Sequence, residues 1–357
     1  MVKYTDPQLE EGYAAMPRRI YTCIIWTVLL VLCMAVCLAY SFTKPVVITN
    51  ANVSDEDIFD MSEMIPLTPG DSAPAGMVIF SVPDDVQASD IVTENMYNER
   101  KFLVHIRTES DSYYGSVSSS GVPIDAGRIS GDGALVEGIG VVYDRSGVLL
   151  IFDMSMIYEY SLTMEGSTVT MEAVDPSSVY EHIVIIDPEE CEKAAGVAAD
   201  VAARCSALLY EEGIRVYMTD PGLSAEDRVS VPELMEETGA DIYIRLGVSE
   251  DGEGHHGIRA WYDPLYYIPG FGSIELSEAC LRNVTISASD RAIGIFEAPE
   301  GSVLYEISAP ATYITLGNAD DTDECGLLVD DSYRDRLSEG LYLAVTESFN
   351  MMGEMKE

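Results

Sequence analysis

The chain has 357 residues, and its 20 lysines and arginines against 61 aspartates and glutamates give a formal charge of −41. Such an acidic chain lacks the cationic surface that neutralises phosphates, so nucleic-acid binding is excluded as its main role. Hydrophobic residues make up 47% of the chain, which is too many for an acidic disordered protein. At about 100–200 residues per domain, we expect two folded units.

A long apolar segment lies near the N-terminus. Residues 20–43 contain no charged residue, and about 20 apolar residues span a bilayer core as one helix. Arg18 and Arg19 precede this segment, whereas an acidic stretch follows from Asp55. The positive-inside rule then places residues 1–19 in the cytosol as a short head and the rest of the chain outside it. A cleaved signal peptide is the alternative, but its apolar region would be shorter. The sequence predicts a single-pass protein of the cell membrane.

Two regions follow the predicted membrane helix. Residues 44–76 are polar, acidic and contain prolines, which is typical of a solvated stalk or linker. Residues 77–178 contain short segments rich in valine, isoleucine and tyrosine, separated by turns such as residues 144–147. This pattern predicts a small all-β domain. His105 lies within one of its strands with no second metal-ligating residue nearby, so we expect a structural role for it.

The pattern changes at residue 181, where strands begin to alternate with helices up to residue 353. A near-continuous apolar strand (HIVIID) is followed by a predicted helix over residues 192–213. Residues 303–307 and 311–317 are predicted as late strands, and a helix closes the chain. Strands that alternate with helices predict a mainly parallel α/β sheet flanked by helices.

Four cysteines follow the predicted membrane helix, namely Cys191, Cys205, Cys280 and Cys325. In an exported domain they could form disulfides, but their spacing leaves the pairing open. If the predicted helix is extended by one residue to include Cys191, this residue lies about 21 Å from Cys205, which is too far for a bond between them. The chain has no CxxC pair, so a zinc–thiolate motif is not supported.

Several short pieces occur in a fixed order between residues 182 and 350: IIDP, a segment that starts with Glu192-Lys193, Arg228, TGADIYI, GIRAWY and PATYITLGN. This order resembles the zinc-dependent N-acetylmuramoyl-L-alanine amidases of bacterial cell walls. In that family a His after the first strand, a Glu at the start of the next helix and a second His after a third strand hold the metal. A Glu on a late strand is catalytic. Zinc lowers the pKa of its bound water to about 7, and the catalytic Glu moves the proton.

The residue types at the corresponding positions of this chain differ from the family pattern. Glu190 stands at the first His position, and Glu192 matches the helix-start Glu. Gly247 replaces the second His, and Thr315 replaces the catalytic Glu. Glycine offers no ligand, and threonine is no base at neutral pH. The resemblance therefore implies an amidase-like scaffold without a catalytic residue or a cofactor, that is, a pseudoenzyme.

An active amidase with relocated ligands is the alternative. The adjacent His255 and His256 could combine with Glu190 and Glu192 in a new zinc site, and zinc would then be the cofactor. The acidic residues between Asp320 and Glu324 do not have the spacing of a calcium loop, so we interpret them as a solvated loop.

The expected function is that of an extracytoplasmic, membrane-anchored amidase-like protein of the bacterial envelope, acting in wall binding, scaffolding or regulation. Its partner would be peptidoglycan or an envelope protein, bound in a cleft lined by Glu190, Glu192, Gly247 and Thr315. Because the strong negative charge would repel wall phosphates, a protein partner with a basic surface is favoured. A purely structural ectodomain remains a further alternative.

Overall fold

The computed structural model describes residues 46–48, 64–67, 73–109, 112–115, 128–224, 226–250, 252, 256–265 and 269–354. The predicted cytosolic head and the predicted membrane helix at residues 20–43 lie outside these ranges. None of the helices within them combines the length and the apolarity that a bilayer crossing requires.

The first folded unit consists of two antiparallel five-stranded sheets. The first sheet has the order β1-β9-β10-β3-β6 and is built from β1 (Val46–Ile48), β3 (Met77–Ser81), β6 (Ile129–Gly131), β9 (Glu159–Glu165) and β10 (Thr168–Val174). The second has the order β2-β7-β8-β5-β4 and is built from β2 (Ile65–Leu67), β4 (Ile91–Met96), β5 (Lys101–Ile106), β7 (Val136–Tyr143) and β8 (Val148–Met154). The predicted all-β unit is therefore a pair of sheets.

The two sheets share one apolar core. Alternate residues of β3 and β10 are buried, which is the pattern of strands with one face on a core. Phe80 of one sheet and Phe152 of the other lie with their ring centroids 6.0 Å apart. His105 is fully buried on β5, and its Nε2 lies 3.4 Å from the Ser146 hydroxyl. Its position is that of a core residue.

Two strands fall inside the range predicted to be a stalk. Val46–Ile48 pairs with β9, and Ile65–Leu67 pairs with β7. The interpretation of these residues as a solvated linker is therefore wrong. Strands of three residues are too short to show an alternating apolar pattern, so the sequence does not indicate that they pair with a sheet edge. These residues belong to the β unit.

The second unit is a six-stranded sheet flanked by helices. Its order is β12-β11-β13-β16-β14-β15, with β11 (Ile183–Pro188), β12 (Arg215–Met218), β13 (Ile242–Ser249), β14 (Ile258–Tyr262), β15 (Ala292–Glu297) and β16 (Ala311–Asn318). The pairs β11–β12, β11–β13, β13–β16 and β14–β15 are parallel, and only β14 runs antiparallel to its neighbour β16. The predicted, mainly parallel α/β sheet is confirmed.

The α-helices of the described residues are α1 (Pro176–Val179), α2 (Val197–Glu211), α3 (Val231–Thr238), α4 (Ser273–Ala288), α5 (Thr322–Leu328) and α6 (Asp331–Glu354). One face of the sheet shares a core with apolar residues of α2, α4 and α6, including Val201, Leu276 and Leu341. The other face shares a core with Leu234 of α3 and with Leu304 and Ile307. Both faces are covered, as the apolar run of β11 predicted.

Two predicted element boundaries are wrong. Helix α2 begins at Val197 and not at residue 192, because Gly196 adopts the left-handed conformation (φ 73°) directly before it. Cys191 therefore lies outside the helix. Residues 303–306 form a short 3-10 helix and not a strand, since the Ser302 side chain accepts a hydrogen bond from the Leu304 backbone and starts a helical turn.

The four cysteines of the described residues are free thiols. Cys205 on α2 and Cys280 on α4 are fully buried in the same core. Burial raises the pKa of both thiols, that of Cys280 to about 12. They act as small apolar packing groups.

The β unit is joined to the α/β unit by partly buried polar contacts. Glu159 accepts hydrogen bonds from the Arg215 guanidinium and from the Tyr217 hydroxyl, both at 2.7 Å. On the neighbouring helix, Glu237 pairs with Arg100 and also accepts the Ile157 backbone N–H at 3.0 Å. These contacts fix α3 and β12 against the β unit.

Replacing Glu159 with Gln is expected to lower the free energy of unfolding by about 1–2 kcal/mol, because a neutral amide leaves the mostly buried Arg215 without its charged partner. Urea denaturation followed by tyrosine fluorescence measures the change. Arg282→Gln is the matched control, because its ion pair with Glu347 is exposed and should contribute less than about 1 kcal/mol. Equal effects of the two changes would contradict a stabilising role for the contact between the units.

Candidate functional site

The predicted site positions lie where three parallel strands of the α/β sheet end. Asp187 of β11 is the register partner of Arg245 of β13, and Gly247 of β13 is the partner of Thr315 of β16. The carboxyl ends of parallel strands form one edge of a sheet, where α/β proteins place their sites. The structure therefore brings Gly247 and Thr315 together, as the resemblance implied.

Asp187 is a buried carboxylate at the end of β11. It accepts hydrogen bonds from the Thr219 and Tyr243 hydroxyls, and the Arg245 guanidinium lies 3.9 Å away. Tyr243 is fully buried, so burial and the nearby Asp187 charge raise its pKa. Its hydroxyl therefore remains a neutral donor. Asp187 is held by two donors and one cation on the protein itself.

Glu189 is the centre of a second polar contact in the same place. Its carboxylate accepts hydrogen bonds from the Arg245 guanidinium at 2.9 Å and from the Tyr313 hydroxyl at 2.8 Å. The Tyr313 ring is stacked on Trp261, with centroids 5.0 Å apart. Burial by itself would lower the pKa of Arg245, but the charges of Glu189 and Asp187 raise it. Arg245 thus supplies a permanent positive charge between two carboxylates.

The space beside Gly247 is filled by this contact. A Cβ atom at Gly247 would lie 2.5 Å from the Tyr313 hydroxyl oxygen and 3.0 Å from a Glu189 carboxylate oxygen. A side chain of any kind at this position would displace Tyr313 or Glu189. The position that corresponds to the family's second histidine therefore has neither a ligating side chain nor room for one.

Thr315 is 2% exposed. Among the described residues, its hydroxyl oxygen has no hydrogen-bond partner. A buried hydroxyl next to Gly247 can hold no proton-transfer role at neutral pH, because its own proton is far too weakly acidic.

Glu190 and Glu192 are both exposed to solvent. Glu190 lies at the wall of a cleft, and Glu192 lies in the turn before α2 and not at the start of the helix. The prediction that Glu192 keeps its helix-start position is therefore wrong, for the same reason that α2 begins late. The inward-facing carboxylate is Glu189, the neighbour of the predicted Glu190.

His256 does not approach Glu190 or Glu192. Its imidazole lies 3.6 Å from Glu324 and 3.6 Å from Asp290, near the start of β14. His255 lies outside the described residues. The interpretation of residues 320–324 as a solvated loop is also wrong, because Asp321 caps helix α5 and Glu324 is 1% exposed.

The strand ends open into a cleft of about 540 Å³. It lies between the strand ends, helix α3 and the 3-10 helix Val303–Glu306. Its ionisable lining residues are four acids and two arginines: Asp187, Glu189, Glu190, Glu306, Arg228 and Arg245. Asp187 and Glu189 pair with Arg245, and the four acids against two arginines, Arg228 included, leave the lining with a net negative charge to which the exposed Glu190 and Glu306 contribute.

The residues at the family's metal positions do not fit its zinc ion. The implied site needs two imidazoles and a carboxylate around one open position. Here one imidazole position is Glu190 at the surface, and the other is Gly247, whose side-chain space is occupied by Tyr313 and Glu189. The cation in this place is the Arg245 guanidinium.

Sequence reasoning missed Glu189, Arg245 and Tyr313. Arg245 precedes Gly247 by two residues and Tyr313 precedes Thr315 by two, so each shares a strand face with a predicted position. This two-residue spacing was the signal in the sequence that could have identified Arg245 and Tyr313. Nothing in the sequence shows that the Glu189 carboxylate contacts both of these residues.

Residues 189–347 match the family model described as N-acetylmuramoyl-L-alanine amidase. Among solved structures, an N-acetylmuramoyl-L-alanine amidase from Clostridium difficile 630 is 21% identical, with a TM-score of 0.41, over 47% of this chain and 97% of that one. AmiC2 of Nostoc punctiforme is 16% identical, with a TM-score of 0.41, over 48% of this chain and 98% of that one.

The CwlD amidase from Clostridioides difficile, solved in complex with the GerS lipoprotein, is 14% identical, with a TM-score of 0.41, over 47% of this chain and 98% of that one. No curated protein matches the chain. The α/β unit carries an amidase-like domain that resembles the N-acetylmuramoyl-L-alanine amidases of the matched family.

Proposed function

We propose that this chain is a membrane-anchored, extracytoplasmic protein of the bacterial envelope whose amidase-like domain binds a partner and does not hydrolyse peptidoglycan. The observation that carries the proposal is the closed space at Gly247, where a Cβ atom would meet Tyr313 at 2.5 Å. A metal needs an open, ligand-lined position, and this one is occupied by a hydroxyl and a carboxylate that are already bonded to each other.

The residue at the proton-transfer position supports the same proposal. A general base must carry a pKa near the working pH and reach the water that it activates. Thr315 is buried and neutral, and its register partner is Gly247. Gly247 therefore provides no metal ligand, and Thr315 provides no base for the family mechanism.

The cleft supports a binding role. Arg245 and Glu189 line it as an ion pair, and the Tyr313 hydroxyl behind them donates to Glu189. Glu190 and Glu306 add two exposed negative charges at its mouth. Complementary charge steers association, so we expect a protein partner with a basic surface. The charge of −41 disfavours a wall polymer that carries phosphates.

The membrane anchor rests on the sequence alone. Residues 20–43 are uncharged, and Arg18 and Arg19 precede them. A stretch of this length crosses a bilayer once, and the basic residues favour a cytosolic N-terminus. The two folded units would then lie outside the cytosol.

A working amidase with relocated ligands is less well supported. Its proposed ligands do not meet among the described residues, because His256 lies beside Asp290 and Glu324 while Glu190 and Glu192 face solvent. The remaining ligand of that hypothesis, His255, is not among the described residues.

Reversing the charge of the cleft mouth is expected to weaken partner binding strongly. In cells that make the tagged full-length chain, chemical crosslinking should recover an envelope protein with a basic surface. The double change Glu190→Lys and Glu306→Lys should reduce that recovery at least about tenfold, since it places like charges opposite each other. Quantitative mass spectrometry of the recovered proteins is the measurement.

The matched control is Glu278→Lys with Glu339→Lys, which makes the same charge change on exposed residues of α4 and α6 at the other face of the sheet. The control should leave recovery unchanged. If both double variants lose the partner equally, general charge and not the cleft is responsible. If the chain instead sediments with purified sacculi through the cleft, peptidoglycan is the ligand and the protein-partner proposal is wrong.

A further inference from the structure

A second group of ionisable side chains lies outside the cleft. His256 precedes β14, Asp290 follows α4, and Glu324 lies on α5. One ring nitrogen of His256 and one carboxylate oxygen from each of Asp290 and Glu324 lie within 4.8 Å of one another. His256 Nδ1 is 3.6 Å from a Glu324 carboxylate oxygen, and its Nε2 is 3.6 Å from an Asp290 carboxylate oxygen. None of these residues corresponds to a position of the family's zinc site.

Both carboxylates are buried and held in fixed orientations. The Glu324 side chain is 1% exposed, and its two oxygens accept the backbone N–H groups of Gly257 at 2.6 Å and Asn318 at 2.8 Å. The Asp290 side chain is 4% exposed and accepts a hydrogen bond from the Tyr333 hydroxyl on α6. Metal-ligating carboxylates are oriented in this way by outer-shell donors.

No lysine or arginine in the part of the chain that the structure describes forms an ion pair with either carboxylate of this group. Among the described residues, the one basic side chain that forms an ion pair with Asp290 or Glu324 is His256, and Asp321 adds a further carboxylate 3.9 Å from its Nδ1. A protonated imidazole would offset a single negative charge. A divalent cation would offset two and leave the neutral imidazole free to act as a ligand.

We infer that His256, Asp290 and Glu324 form a binding site for a first-row divalent cation such as Zn²⁺ or Mn²⁺. One nitrogen and two carboxylates suit such an ion, whereas Ca²⁺ and Mg²⁺ prefer oxygen ligands throughout. His256 is 44% exposed, so its ring can turn to present one nitrogen and leaves an entry path for the ion. Water completes the coordination. The ion connects the start of β14 with α4 and α5.

Titration of the chelator-treated full-length chain with Zn²⁺ tests the inference by calorimetry. We expect one site whose affinity falls at least about tenfold in His256→Ala, and about tenfold in Tyr333→Phe, which removes only an outer-shell donor. Zn²⁺ should also raise the melting temperature of the wild type and not that of His256→Ala. Because Glu324 is buried, Glu324→Gln serves as the near-isosteric variant and should lose the site as well.

His182→Ala is the matched control, because its imidazole is stacked on Phe349 outside the group. The inference is wrong if Zn²⁺ binds His256→Ala and His182→Ala equally well, or if Ca²⁺ binds the wild type as tightly as Zn²⁺. The result is independent of the proposed function, since neither peptide release nor partner recovery through the cleft uses these residues.

Discussion

Gly247→Ala is expected to lower the free energy of unfolding of the full-length chain by about 1–3 kcal/mol, because it inserts a methyl group into filled space. The new Cβ would lie 2.5 Å from the Tyr313 hydroxyl oxygen. Tyr313 cannot move away freely, since its ring is stacked on Trp261 and its hydroxyl donates to Glu189. Urea denaturation of the variant and the wild type measures the loss. A histidine at this position should be worse than alanine.

Gly133→Ala is the matched control, because a Cβ at Gly133 has no atom within 4 Å and the residue has no positive φ. It should change stability by less than about 0.5 kcal/mol. The double variant Gly247→Ala with Tyr313→Phe should recover part of the loss, since it removes the nearest atom. A Gly247→Ala protein as stable as the wild type would mean that the position is open, and a ligand there would again be feasible.

Asp187→Ala is expected to cost about 2–4 kcal/mol, because it leaves two buried hydroxyl donors without an acceptor. Tyr243 is fully buried and Thr219 is 4% exposed, so water cannot replace the lost carboxylate without rearrangement. Arg245 also loses one of its two negative neighbours. The shift of the denaturation midpoint is the measurement.

Asp187→Asn separates the hydrogen bonds from the charge. The amide keeps one acceptor oxygen, so its loss of stability should be clearly smaller than that of Asp187→Ala. If both substitutions cost less than about 0.5 kcal/mol, Asp187 is not the centre of a stabilising network. The polar floor of the cleft would then have to be explained by Glu189 alone.

The parts of the fold that follow a strong period could be predicted from the sequence. The continuous apolar run of β11 and its alternation with helices indicated a parallel sheet buried on both faces, and the structure has it. The start of α2 was not predictable in the same way, because one left-handed glycine at position 196 stops an otherwise helical pattern. The strands at 46–48 and 65–67 are too short to carry a period.

The candidate site was only partly predictable. The order of the family's motifs along the chain led us to expect Gly247 and Thr315 close together, and they are register partners on adjacent strands. The choice of Glu189 over Glu190 as the inward carboxylate depends on Arg245 and Tyr313, which are 56 and 124 residues away in the chain. The acidic run at 320–324 has the composition of a solvated loop. Glu324 is nevertheless buried, because its carboxylate accepts hydrogen bonds from two backbone N–H groups, and composition does not reveal such contacts.

Release of stem peptides from purified peptidoglycan sacculi tests most directly whether the amidase-like domain is catalytic. Metal content alone does not decide this, because zinc at His256 would be counted as well. The full-length chain, incubated with Zn²⁺ and sacculi, should release no more peptide than a protein-free blank by mass spectrometry, and Glu192→Ala should not differ from it. Peptide release that Glu192→Ala abolishes would establish a working amidase and contradict the binding role proposed for the cleft.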